Sequence, residues 1–256
     1  VSHEIRTPLT VLIGFVETLQ TLELPAEQRQ RYLHLMGQQA QRMHHLVQDL
    51  LTLSRLEGSP LPGYDQGMAV ADILEQCEVE ARALSALLGQ GGQSAHQLEF
   101  PPAHAPGMDQ QLLGAPVELV SAFSNLITNA LLHAFEGLPR GSITVTPRVM
   151  DEDSVQIEFA DDGRGIPIAD QRRIFDPFFT TRLGRGGTGL GLHIVYNLVT
   201  QVLGGRITVH SSPGNGTRFV LALPRTAPAR GEGQTAADAA ASPGPGLNFD
   251  DLGPII

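Results

Sequence analysis

Apolar residues recur at two different periods along this chain, and the change from one to the other divides it. From Ser2 to about Leu22, the residues Leu9, Leu12, Val16 and Leu19 follow one another at spacings of 3, 4 and 3, the seam of an amphipathic helix. Pro25 with Ala26 and Glu27 suits the first turn of a second helix. In it Met36, Met43, Leu46, Leu50 and Leu53 recur at spacings of 7, 3, 4 and 3, to about Leu56. Gly58, Pro60, Pro62 and Gly63 then break it. Narrow seams joined by a short connection predict a helical hairpin, and a hairpin of that size cannot bury both seams by itself. A homodimer forming a four-helix bundle is therefore expected. Packing of the seams against the rest of the same chain is the alternative.

Residues 70–88 read as another helix, and a loop-rich passage follows with one short strand at 97–100. After Pro116 a strong helix is predicted to about Phe135. The period then becomes 2: strands are predicted at 141–149 and 154–160, and again at 205–211 and 217–223 around the turn sequence SPGNG. A glycine-rich loop and the helix GLHIVYNLVTQVL lie between these pairs. The expected fold class is α+β: the hairpin, residues 1–62, followed by an α/β sandwich, residues 63–224, with one sheet and helices on one face. From Arg225 the chain is Ala, Gly, Pro and Asp without periodicity, so 225–256 is expected to be a disordered tail.

Composition narrows the function. Seventeen basic against 27 acidic residues give a formal charge of -10 over 256 residues, which opposes nucleic-acid binding, and no basic patch reverses it locally. The single cysteine, Cys77, has no His or Cys at ligand spacing, so neither a disulfide framework nor a zinc site is available. No apolar run approaches the roughly 20 residues that cross a bilayer. The chain opens on Val with its most suggestive stretch at once. The expectation is the cytoplasmic portion of a longer bacterial protein, anchored to the inner membrane only through an absent upstream region.

That first stretch is VSHEIRTPLT. At about 100° per residue, with Leu9 at zero, Leu12, Val16 and Leu19 fall near 300°, 340° and 280°, whereas His3, Thr7, Thr10 and Gly14 fall near 120°, 160°, 100° and 140°. His3 thus faces away from the seam, in a stripe of small and polar residues against which another protein could lie. A neutral imidazole is a competent nucleophile near neutral pH, and Glu4 could accept the proton of its other nitrogen. Pro8 removes a backbone hydrogen bond and can bend the helix just beyond. Most exposed helical histidines do nothing, and the spacing alone leaves that reading open.

Three more constellations lie downstream. Asn125, Asn129 and His133 recur at i, i+4 and i+8 in SNLITNALLHAF, about 100° around the helix from its apolar face. The amide oxygens of the two asparagines suit a hard cation such as Mg2+, or simply a neighbouring loop. DDGRGIP follows the predicted strand VQIEFA. There Gly163 and Gly165 permit close backbone approach, and the Asp161 carboxylate could accept a hydrogen bond from an exocyclic amine such as that of adenine. Strand-to-turn Asp-Gly pairs are also common without ligand. GRGGTGLGLHIV leads glycines 184, 186, 187, 189 and 191 into a helix, where backbone amides can hold phosphate oxygens. It matches neither the P-loop nor the βαβ fingerprint, and a mobile loop would use the same glycines. Between them RIFDPFFTTR offers Phe175, Phe178 and Phe179 as apolar anchors for a lid.

Taken in order, these blocks resemble the sensor histidine kinases of two-component signalling. SHEIRTPLT resembles that family's phosphoacceptor box, NLITNA its N box, DDGRGIP its G1 box, RIFDPFFTT its F box and GTGLGL its G2 box, over about residues 1–224. The N-terminal hundred or so residues resemble the phosphate-regulon sensors of PhoR type. NALLHAFEG through GGTGLGLHIVYNLV resembles another branch. The resemblance implies a dimerisation and phosphotransfer hairpin followed by a nucleotide-binding sandwich of the gyrase, Hsp90 and MutL kind. It implies that ATP's γ-phosphate passes to His3 and then to an aspartate of a response-regulator receiver domain. Glu4 would assist, and Thr7 would help position water in the reverse, phosphatase reaction. Asn129 would hold Mg2+ with support from Asn125, and Asp161 would read the adenine amine. Gly163, Gly165, Ile166 and Thr180 would complete the nucleotide site. Gly187, Thr188, Gly189, Leu190 and Gly191 would shape the lid over the phosphates.

The sequence departs from the pattern at Leu132, where many such kinases carry Lys or Arg three residues after the metal-binding Asn. His133, or Arg182 or Arg185 of the lid, is the candidate substitute. Two rivals stand beside this reading. A gyrase or MutL-type ATPase shares the nucleotide fold but has no need of HEIRTP on a hairpin. A phosphotransfer scaffold with a degenerate ATP site would lack the N and G boxes.

Overall fold

The computed structural model describes residues 2–58, 66–89, 96–114, 116–138, 140–181 and 187–226, with side chains from residue 5 to residue 56 in the first segment. The hairpin consists of α1 (Ser2–Thr21) and α2 (Ala26–Gly58). There follow β1 (Gly67–Ala69), α3 (Val70–Leu88), β2 (Gln97–Glu99), β3 (Gln111–Leu113) and α4 (Pro116–Asn129). The remaining elements are β4 (Ser142–Val149), β5 (Ser154–Asp161), α5 (Ile168–Gln171), α6 (Gly191–Asn197), β6 (Arg206–Ser211) and β7 (Thr217–Pro224). Both α4 and α6 continue into π-helical turns, Ala130–Ala134 and Leu198–Val202. Among the described residues no helix is long and apolar enough to cross a membrane.

In the hairpin, the residues of α1 drawn toward α2 are Ile5, Pro8, Leu12, Phe15 and Leu19, spaced 3, 4, 3 and 4. Phe15 meets Tyr32 with ring centroids 5.5 Å apart, which sets the register of the pair. The predicted seam is therefore a composite. Leu12 and Leu19 belong to the contact inside the hairpin, whereas Leu9 and Val16 remain 44% and 37% exposed, with Ile13 beside them at 49%. The arc that carries apolar residues on α1 is wider than one partner helix can cover.

The sheet has strand order β2-β4-β5-β7-β6, with β2 parallel to β4 and the other pairings antiparallel. The hairpins β4-β5 and β6-β7 follow from short turns. The parallel β2-β4 pair needs a crossover, which α4 supplies. Alternate residues of the central strands point to one face: Val155, Ile157 and Phe159 of β5, and Phe219, Leu221 and Leu223 of β7, are buried. Onto that face pack Leu119, Phe123, Leu126 and Ile127 of α4, with Ile194, Val195, Leu198 and Val199 from the helical run that begins with α6. Phe123 meets Phe159 at 5.2 Å between centroids. Each such burial contributes about 1.5–3 kcal/mol before entropy is counted. Glu158 and Arg218 pair at 3.3 Å on the opposite, more polar face. Pro147 lies beyond the reach of β2, where β4 is an edge and a missing N–H is tolerated.

The small antiparallel pair β1-β3 was not foreseen in the sequence, its strands being three residues each. It ties the start of α3 to the segment before α4 through Val70 N–H to the Gln110 carbonyl at 2.9 Å. Thr226 bridges Leu113. The tail expected from Arg225 does not begin there: Arg225 N–H donates to the Asp153 carbonyl at 2.8 Å and its carbonyl accepts from Leu113 N–H at 2.7 Å, so 225 and 226 belong to the domain. Residues 227–256 and the predicted boundary at 62/63 lie outside the described residues.

Candidate functional site

Strand register places the first element of the site. Asp161 ends β5 opposite Thr217 of β7, so the carboxyl stands at one end of the sheet, beneath α4 and α6. Asp161 Oδ1 accepts from Gly163 N–H at 2.9 Å and from Thr217 N–H at 3.2 Å. Among the described residues none donates to Oδ2. Burial pushes the Asp161 carboxyl up to about 6, against the two backbone N–H bonds that favour its charge, with the neighbouring Asp162 adding to the rise. Asp162 itself serves the sheet, since its Oδ1 accepts from Ser142 N–H at 2.6 Å and pins the start of β4.

The close approach expected of the glycines has a definite partner at Gly163. A Cβ there would lie 2.5 Å from the Ala134 carbonyl oxygen, in the π-helical turn that extends α4. That carbonyl also accepts from Arg164 N–H at 2.9 Å. The helix predicted to run unbroken to Phe135 thus widens at Ala130, and the wider turn receives the loop after β5.

Asn125 and Asn129 face the start of α6. A Cβ at Gly191 would lie 3.6 Å from Asn125 Oδ1 and 3.6 Å from Asn129 Nδ2, which places the start of α6 in van der Waals range of both amides. Gly189 has φ +71°, and a Cβ there would meet the Phe178 backbone carbon at 2.5 Å. Phe178 is itself at φ 65°, a conformation that costs a non-glycine residue free energy. Phe175 stacks on Tyr196 at 5.2 Å and its carbonyl is 2.9 Å from His193 Nδ1, while Arg173 lies 4.7 Å over the Phe179 ring. The phenylalanine block is thereby fastened to α6 and to the glycine-rich segment.

Asp161, the two asparagines and the glycines at the start of α6 border one cavity of about 730 Å3. It gathers Asn125, Asn129, His133, Asp161, Gly165, Ile166, Thr180, Gly187, Thr188, Gly189 and Gly191 from stretches far apart in sequence. Gly163 and Leu190 are not on its surface: Gly163 packs behind the wall, and Leu190 is fully buried. Leu132 and Arg164 are on it, Arg164 pairing with Glu136 at 3.3 Å. Arg182 and Arg185, with Gly184 and Gly186, lie outside the described residues, as do the side chains of His3 and Glu4. The backbone of His3 is in α1, and Thr7 is exposed there.

One wall has no counterpart among the sequence motifs. His45, Gln48 and Asp49 of α2 line the cavity, and Thr188 Oγ1 donates to Asp49 Oδ2 at 2.6 Å. A signal was present: Leu46, Leu53 and Leu56 are buried, and Asp49 occupies the place between them at spacings of 3, 4 and 3. A carboxylate inside an apolar stripe marks a contact other than plain packing.

A layered sheet with its helices on one face and a polar-ended cavity between α4 and α6 defines a nucleotide-binding ATPase sandwich joined to a helical hairpin. Comparison agrees on both parts. Residues 114–227 match the family described as histidine kinase-, DNA gyrase B-, and HSP90-like ATPase, and residues 1–59 match the His Kinase A (phospho-acceptor) domain. The chain belongs to the sensor histidine kinases of two-component systems. It is 37% identical to the phosphate regulon sensor protein PhoR of Pseudomonas aeruginosa over 86% of this chain and 47% of that protein. It thus spans about half the length of that relative. Among solved structures, full-length ShkA in complex with AMPPNP is 26% identical with a TM-score of 0.61, over 90% of this chain and 45% of that one. Histidine kinase ThkA in complex with response regulator protein TrrA shares the fold with a TM-score of 0.66 at 23% identity, over 90% of this chain and 61% of that one.

Proposed function

We propose that this chain is the catalytic core of an ATP-dependent protein histidine kinase, with residues 1–62 as its dimerisation and phosphotransfer domain and 63–224 as its ATP-binding domain. The observation that carries the reading is the single cavity with an amine acceptor, Asp161, at one end and Asn125, Asn129 and the Gly187–Gly191 backbone at the other. Adenine would sit at Asp161, its amine donating to the Oδ2 that the backbone leaves unclaimed. The phosphate chain would run toward the glycines. Asn129, supported by Asn125, suits Mg2+ because both amides line the cavity and offer oxygen ligands there. Among the described residues no cluster of His, Cys, Asp or Glu would compete as a metal site. Bound there, Mg2+ would shield and orient the phosphates.

The reaction is an in-line displacement in which positioning does most of the work. The His3 imidazole nitrogen forms a bond to the γ-phosphorus, the bond from that phosphorus to the bridging oxygen breaks, and ADP leaves with the electron pair. Glu4 takes the proton of the other ring nitrogen. The phosphoramidate then passes its phosphoryl group to an aspartate of a response-regulator receiver domain, and Thr7 helps position water for the reverse removal of phosphate from that regulator. The match of residues 1–59 to a phospho-acceptor domain favours this reading over a gyrase or MutL-type ATPase.

The protein acts as a homodimer in this reading. Leu9, Ile13 and Val16 of α1 and Leu33, Val47 and Leu51 of α2 are exposed apolar residues on the hairpin, as the inner faces of a four-helix bundle would be in a single copy. Incubation with radiolabelled ATP and Mg2+ tests the assignment. The expected product is protein carrying acid-labile, alkali-stable phosphate, and Asn129→Asp is expected to abolish the label. Label undiminished in that variant removes Asn129 from the metal site, and no label in the wild type removes the kinase.

A further inference from the structure

The hydrogen bond between Thr188 and Asp49 joins the hairpin to the nucleotide cavity at the end assigned to phosphate. Thr188 Oγ1 donates to Asp49 Oδ2 at 2.6 Å and accepts from Leu190 N–H at 3.3 Å. The residues on either side of it, Gly187 and Gly189, border the cavity, and Gly191 abuts Asn125 and Asn129. Asp49 is part-buried and borders the same cavity. It is held there by Leu46, Leu53 and Leu56, the buried residues of its own helix face. Burial raises its carboxyl from the ordinary value, opposed by the Thr188 bond and by His45 one turn away.

A carboxylate so placed is the wrong sign for a phosphate chain, and in a partly desolvated cleft like charges a few ångströms apart are screened much less than on an open surface. Adenosine, with no phosphate, would bring no charge to Asp49.

We propose that Asp49 is a specificity-determining residue through which the hairpin senses the phosphate chain of the nucleotide. It holds Thr188 in the empty site, and a bound di- or triphosphate takes the Thr188 hydroxyl from it and drives the carboxylate away. Loading of the site is thereby coupled to loosening of α2 from the nucleotide domain. The idea rests on the nucleotide assignment and deepens it.

Calorimetric titration of the whole chain with ATP, ADP and adenosine, at fixed Mg2+, tests it in the wild type and in Asp49→Asn and Asp49→Ala. Asn preserves an acceptor oxygen for Thr188 and removes only the charge; Ala removes both. Both variants are expected to bind ATP and ADP on the order of tenfold more tightly, the scale of one like charge withdrawn from a cleft, with adenosine affinity unchanged. Adenosine binding is also the check that the pocket is folded. If Asn leaves the ATP-to-adenosine ratio as in the wild type, or weakens both together, Asp49 is structural and the proposal falls while the nucleotide site stands. If the wild type binds neither ATP nor adenosine, the nucleotide assignment fails and this proposal with it.

Discussion

Burial holds the Asp161 carboxyl at about 6 rather than 3.8, so at neutral pH the empty domain keeps a charge that its own interior disfavours. Because the folded value lies above the ordinary one, this group's contribution to stability is complete below about pH 3.8 and is lost as pH rises through about 6. Asp161→Asn should abolish that loss. In urea unfolding of the nucleotide-free protein, the variant should exceed the wild type above pH 6 and converge with it toward pH 4. Its nucleotide affinity should move the other way. An amide that keeps its oxygen for Gly163 and Thr217 turns a donor toward the adenine amine, and ATP binding should weaken by roughly tenfold or more, the scale of a lost charge-assisted hydrogen bond. Equal ATP affinity in the two proteins would remove Asp161 from adenine recognition. Gly189 is a second residue with one tolerable identity. Its φ of +71° and the Phe178 backbone beside it predict that Gly189→Ala lowers stability by about 1–3 kcal/mol in the same assay.

At the scale of elements, alternation exposed β4, β5, β6 and β7 almost to the residue, because each has one buried and one polar face. What stayed hidden has physical reasons. Strands β1 and β3 are too short to show a period. The π-helical turn after α4 uses the same residue types as the helix it extends, and only the arrival of the loop at Gly163 explains it. On α1, the periodicity shows one apolar stripe where the structure separates an inner row through Leu12 and Phe15 from an outer row through Leu9, Ile13 and Val16. The outer row carries its own prediction. Replacing Leu9 and Val16 together by Glu should convert a dimer to a monomer in light scattering while leaving adenosine binding intact. A dimer that persists would mean that this row is not the interface.

Across the whole molecule, the cavity belongs to both domains, since α2 contributes Asp49 to a site otherwise built by the sandwich. Motifs made the sandwich half of the site legible: Asp161, Asn125, Asn129 and Gly191 were each singled out by local pattern. The hairpin half was not, because docking of α2 on the sandwich has no local period, and Asp49 is visible only as a charge among buried leucines. Continuing the antiparallel register from Phe15 and Tyr32 brings the His3 backbone level with His44 and His45, of which His45 borders the cavity. The most direct measurement is the labelling of His3→Gln beside the wild type with radiolabelled ATP and Mg2+, with adenosine binding confirming that both are folded. Acid-labile phosphate on the wild type and none on His3→Gln is the predicted result, whereas undiminished label on the variant would contradict the assignment of His3 as phosphoacceptor.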